Sequence, residues 1–163
     1  MKLLVIFVIT FSSGFAIYKF FQSPEKVLEK KTKQLISLSS VKSNTGNMGL
    51  ISQITKISKY IHYDVQIKAE YNQHNYEARS LNEFRSLLMS YFRHSSGNKN
   101  LRYENLKVDI KKNKEIGFVN FDIFFKRSSE SFSCKTSLEW EKIKKWFIKK
   151  IKLHSCKPFM LNN

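Results

Sequence analysis

SLNEFRSLLMSYF (residues 80–92) and the closing pair TSLEW (136–140) and WFIKKIKL (146–153), joined by EKIKK (141–145), decide the fold. The first stretch is a capped helix. Ser80-Leu81-Asn82-Glu83 fits a capping box, in which the serine accepts from the amide three residues on and Glu83 reaches back. Leu81, Phe84, Leu87, Leu88 and Tyr91 recur at helical spacing, and the helix is expected to end near His94, before Ser95-Ser96-Gly97-Asn98. Four strands follow, over about 101–111, 115–126, 131–140 and 146–154, with a turn at Lys112-Asn113-Lys114. Phe132, Cys134, Thr136, Leu138 and Trp140 alternate with polar residues, the period of a half-buried strand.

Upstream, Ser23-Pro24-Glu25 starts a helix: serine caps, proline is preorganised at the first position, and glutamate favours the positive end of the dipole. Val27, Leu28, Leu35 and Leu38 give it one apolar side. A second helix begins near Met48, with Leu50, Ile54, Ile57 and Ile61 as its stripe. From Tyr63 the period changes to two. Tyr63, Val65, Ile67 and Ala69 fall on one face and Asp64, Gln66, Lys68 and Glu70 on the other; a turn over 72–75 leads to a return strand over 76–79.

The order of two helices, a short hairpin, a third helix and four long antiparallel strands resembles that of the nuclear transport factor 2-like superfamily, with its SnoaL-like relatives. The resemblance spans roughly residues 24–154 and rests most specifically on the Ser80–Glu83 helix start and the Leu138-Glu139-Trp140 / Trp146-Phe147-Ile148 hairpin. It implies an α+β cone: a curved antiparallel sheet wrapped around three helices, with a pocket at the open end. One departure is the closing turn. Members often carry Asp-Gly there, whereas this chain has Glu-Lys-Ile-Lys-Lys, so the hairpin loop is longer or irregular and its register is open.

Residues 1–21, MKLLVIFVITFSSGFAIYKFF, read as a signal peptide or membrane anchor preceding a domain over 22–156 and a tail over 157–163. Lys2 supplies the positive start, Leu3 to Ile9 the apolar run, and Gly14-Phe15-Ala16 small residues where a signal peptidase reads. The rival is an uncleaved helix, with Lys19 snorkelling and Phe20 and Phe21 adding length. Either way the domain is expected to be exported or tethered to the envelope, in contact with the membrane if the segment is uncleaved. No cysteine lies near the apolar run, which excludes a lipoprotein anchor.

The 163 residues carry a formal charge of +16, which raises nucleic acid or anionic lipid as partners. The lysines spread over almost every segment, and a dedicated nucleic-acid function is the weaker reading. Lys142, Lys144, Lys145, Lys149 and Lys150 concentrate charge at the closing hairpin; they form either a surface for lipid head groups or an ordinary solvated edge.

The resemblance brings both isomerases or lyases and non-catalytic binding domains. Asp122, with Asn120 on the same face, is the best catalytic candidate, because a carboxylate among Phe118, Val119, Phe121, Ile123, Phe124 and Phe125 would have a raised pKa if it faced a cavity. The alternation favours the other arrangement, in which Asn120 and Asp122 point outward. Tyr63, Tyr91, Tyr103 and Phe118 are candidate pocket walls, though aromatics at such positions more often pack the core. His62, His74, His94 and His154 are scattered, so no metal is expected, and no cofactor is either: there is no Gly-rich phosphate loop, nucleophile elbow or Cys-x-x-Cys. Cys134 and Cys156 lie on neighbouring expected strands. Ideal pairing puts Cys134 opposite residues 151–153, so a disulfide needs a bulge or longer turn; otherwise these are two separate thiols. The leading expectation is a non-enzymatic domain that binds a small apolar ligand or a protein partner, including a second copy through the sheet face.

Overall fold

The computed structural model describes residues 23–40, 45–71, 74–94, 101–111, 113, 115–127 and 130–159. The expectations for residues 1–21 lie outside that set. Among the described residues no helix is long and apolar enough to cross a membrane.

Helix α1 (Pro24–Ser39) starts as its sequence dictates, with the Ser23 hydroxyl accepting from the Lys26 amide and Pro24 in the first turn. Its last carbonyls are taken up from outside. The Gln53 side chain of helix α2 (Asn47–Ser58) donates to Leu38 O and, at 2.7 Å, to Ser40 O. Helix α3 (Leu81–His94) has the expected cap, with Glu83 N donating to Ser80 Oγ at 3.2 Å. Glu83 reaches one residue further back than a capping box requires, accepting from Arg79 N at 2.7 Å.

The six strands are β1 (Ile61–Tyr71), β2 (His74–Ala78), β3 (Arg102–Ile110), β4 (Ile116–Arg127), β5 (Glu130–Lys142) and β6 (Trp146–Phe159). They form one sheet in the order β2-β1-β6-β5-β4-β3, antiparallel except for the β1–β6 pair. Helix α1 packs on β3 and β4, whereas α2 and α3 pack on β1, on the far side of β5 and β6. One sheet face therefore curves around all three helices. That face carries Val65, Val119, Leu138, Trp140 and Ile148, all buried, against Leu28, Ile54 and Ile57 of the helices. Gly117 lets α1 approach: a Cβ there would lie 2.3 Å from Leu28 Cδ1 and 2.8 Å from Ile110 Cδ1.

Several irregularities depart from ideal pairing, among them a register shift of β3 against β4 between Glu104 and Lys107. The closing turn is tighter than expected, since β5 runs to Lys142, opposite Trp146. Strand β6 then bulges twice relative to β5, between Glu139 and Trp140 and again between Ser133 and Lys135. Strand β1 slips against β6 between Ile61 and Gln66. This slip moves Tyr63 off the inner face, so the expected set of Tyr63, Val65 and Ile67 is split: Val65 and Ile67 are buried and Tyr63 is 72% exposed. The tail expected from Lys157 is instead strand, because β6 continues past its second bulge to Phe159.

Candidate functional site

A cavity of about 240 Å³ lies between the curved face and the helices. Leu35, Ile36 and Ser39 of α1, Ile57 of α2, and Phe84, Leu88 and Tyr91 of α3 form one wall. Ile61, Phe121, Ile123, Phe125, Thr136, Leu138, Ile151 and Leu153 of the sheet form the other, with Leu101 at the rim. The wall follows directly from strand alternation. Phe121, Ile123 and Phe125 of β4 face inward, opposite Thr136, Cys134 and Phe132 of β5. The lining is nearly all hydrocarbon. Thr136 is the exception on the sheet: it is 5% exposed, and its Oγ1 is buried with no hydrogen-bond partner. A buried hydroxyl left unpaired costs roughly 1–3 kcal/mol, and this one is covered by its neighbours and does not open onto the cavity.

The sequence candidates divide. Tyr91 lines the cavity; Tyr103 is half-buried and packs against the core without lining it. Tyr63 is excluded by the β1 slip. Phe118 is excluded by alternation, since it lies on the outer face opposite Asp109 and Glu139, with the Lys111 ammonium 5.3 Å from its ring centre. Asp122 and Asn120 also face outward, which removes the cavity carboxylate. Asp122 Oδ2 accepts from Asn105 Nδ2 at 2.7 Å, and Asn120 Oδ1 accepts from Ser137 Oγ at 2.7 Å. Asn105 reaches Asp122 because the β3 register shift holds it at φ 55°, in the left-handed region where asparagine is tolerated.

Cys134 and Cys156 are joined, with their Cα atoms 4.1 Å apart. The second β6 bulge brings this about. Ser155, at φ 52°, shares with Cys156 the place opposite Cys134. The disulfide thus fastens β5 to β6 beside the cavity wall. Among the described residues no group of three or more His, Cys, Asp or Glu side chains is placed to hold a metal.

Two lysines of the closing hairpin are paired with acids. Lys150 Nζ donates to Glu139 Oε2 at 3.1 Å. Lys149 Nζ donates to both Asp64 carboxylate oxygens at 2.7 Å and lies 3.4 Å from His62 Nδ1, which also contacts Asp64 Oδ1. The Lys149 hydrogen bond is the largest influence on Asp64, holding its carboxyl below the ordinary value; the same bond raises the Lys149 ammonium. This His62–Asp64–Lys149 group sits where β1 slips and β6 bulges, and sequence spacing gave no sign of it. Lys145 places its ammonium 5.0 Å from the Phe147 ring centre and also lines a concavity with Tyr60.

A six-stranded curved sheet closed over three helices, with an apolar cavity between them, defines a cone-type α+β domain. Solved structures of that class superpose on most of the chain. A protein from Novosphingobium aromaticivorans, named provisionally as a scytalone dehydratase, aligns with a TM-score of 0.60 at 10% identity, covering 85% of this chain and 92% of its own. A nuclear transport factor 2-like protein of unknown function from Pseudomonas putida aligns with a TM-score of 0.59 at 10% identity, covering 83% and 90%. A protein from Shewanella frigidimarina, named provisionally as a ketosteroid isomerase, aligns with a TM-score of 0.56 at 12% identity, covering 82% and 96%. The chain therefore has the nuclear transport factor 2-like fold. No family model matches it, and neither does any curated protein.

Proposed function

We propose that this chain is a non-enzymatic binding domain, exported or tethered to the envelope by residues 1–21, whose inner cavity takes a small apolar ligand. The observation that carries the reading is the cavity lining. Its walls are almost wholly aliphatic and aromatic. Ligand sites of this type are mostly apolar with a few convergent polar groups. At about 240 Å³ the space suits an apolar body of one or two rings. A lyase or isomerase reading draws on the names of two structural neighbours. It would need an ionisable group inside, and among the described lining residues Tyr91 alone has one.

The test uses a chain beginning at residue 22, which keeps every core residue described above, with isotope-labelled methyl groups. Naphthalene is expected to shift the methyl signals of Ile57, Leu88 and Ile151, and Leu88→Trp to abolish those shifts by filling the space. The proposal fails if naphthalene leaves these methyls unmoved, or moves them equally in a folded Leu88→Trp protein.

A further inference from the structure

Away from the apolar cavity, four lysines converge on a second concavity of about 370 Å³. Lys31 comes from α1, Lys56 from the last turn of α2, Lys59 from its C-cap and Lys145 from the β5–β6 turn. Among the described residues Tyr60 and Leu38 complete the lining, and no carboxylate contributes to it. Four lysines elsewhere on this domain do pair with acids: Lys33 with Glu29, Lys68 with Glu77, Lys149 with Asp64, Lys150 with Glu139. None of the four converging lysines makes an ion pair among the described residues, and residues 1–22 contain no Asp or Glu to supply one.

Two of these lysines have an ordinary explanation, because basic residues are favoured at a helix C-terminus. That does not account for Lys31 or Lys145, which arrive from other elements. Lys31 is half-buried, with its Nζ 5.4 Å from the Tyr60 ring centre. Burial, and then repulsion from Lys145, push its ammonium below the usual lysine value. An anion in the concavity would offset both effects on Lys31.

We propose that this concavity binds a multiply charged phosphate group carried on an organic body. The four ammoniums would neutralise the phosphate, and Tyr60 and Leu38 would support the carrier. Lysine serves phosphate as a compact point charge with three donors, and four of them call for more than the single charge of a carboxylate. The carrier could be a soluble metabolite or a lipid head group; the recognising chemistry is the same.

Full-length protein in a nonionic detergent is titrated calorimetrically with inorganic pyrophosphate and, separately, with dihexanoyl phosphatidic acid. Pyrophosphate is expected to bind, with affinity falling about fivefold or more for each of Lys31→Gln and Lys145→Gln. Lys107→Gln and Lys135→Gln, on the outer sheet face, are expected to leave it unchanged. Tighter binding of the short-chain lipid assigns the site to a head group, and tighter binding of pyrophosphate to a soluble phosphate, provided either is lost in the Lys31→Gln/Lys145→Gln protein. Absence of binding by both, or binding that survives the double substitution, overturns the site. So does a single-stranded oligonucleotide that binds wild type and double variant alike while displacing pyrophosphate, since that would be the general attraction of a +16 chain.

Discussion

Asp64 and Lys149 form a directional ion pair, with two 2.7 Å hydrogen bonds from one ammonium to both carboxylate oxygens. The pair fixes the β1 slip against the β6 bulge. Asp64 stays 46% exposed, so solvent screens the interaction and its stabilisation is modest. Its pH dependence is nevertheless definite. Lys149 depresses the folded-state value of Asp64, so the stabilisation is fully present above the unfolded carboxylate pKa of about 4 and is lost as pH falls through the lower folded value. The raised Lys149 value sets the opposite edge: its share persists below the unfolded lysine pKa of about 10 and is lost as pH rises through the folded value. Asp64→Asn is therefore expected to lower the urea midpoint near neutral pH, with the difference vanishing toward about pH 2. A difference that grows on acidification would show that Asp64 contributes something other than this pair. The sequence concealed the pair because His62, Asp64 and Lys149 are adjacent only through two irregular registers, and register is what alternation leaves unspecified once a bulge intervenes.

At the scale of elements, the helices and the inner strand faces were legible because single residue patterns encode them. Ser23-Pro24-Glu25 and Ser80–Glu83 are local caps, and Val119, Phe121 and Ile123 fix which side of β4 is buried and hence that Asp122 faces out. The hairpin register was not legible. Each β6 bulge adds one residue opposite β5, and together with the tighter turn they carry Cys134 from a partner near Ile151–Leu153 to Cys156. The site was legible only where alternation held, as at Tyr91 on a regular helix, and failed at Tyr63 where it broke. The contact of α1 with the sheet depends on a missing side chain at Gly117. A methyl group there would meet the side-chain ends of Leu28, which is fully buried, and Ile110, so both must shift. Gly117→Ala is expected to destabilise the domain by about 1–3 kcal/mol through overpacking, read as a lowered denaturation midpoint with an unchanged slope. An unchanged midpoint would mean that α1 shifts freely over the sheet, which would also loosen the cavity wall formed by Leu35 and Ile36.

For the whole molecule, the disulfide connects fold to compartment. Such bonds persist in oxidising surroundings and are rare in the cytosol, which agrees with our reading of residues 1–21 as an export or anchoring segment. The link also contributes to stability. Closing a loop across 22 residues restricts the unfolded chain by about 3 kcal/mol in the entropic account, a sizeable share of the roughly 5–15 kcal/mol typical of a domain. The two properties are testable together in cells. Full-length chain denatured in a maleimide-polymer reagent is expected to show no mass shift unless first reduced, whereas a chain lacking residues 1–21, retained in the cytosol, is expected to add two polymers without reduction. The same truncated chain, purified reduced, is expected to unfold at a lower denaturant concentration than its reoxidised form, and Cys134→Ala/Cys156→Ala is expected to match the reduced protein. Two free thiols in the full-length chain would place the domain in a reducing compartment, and the proposed export would then fall while the apolar cavity and the lysine-lined concavity stood unchanged.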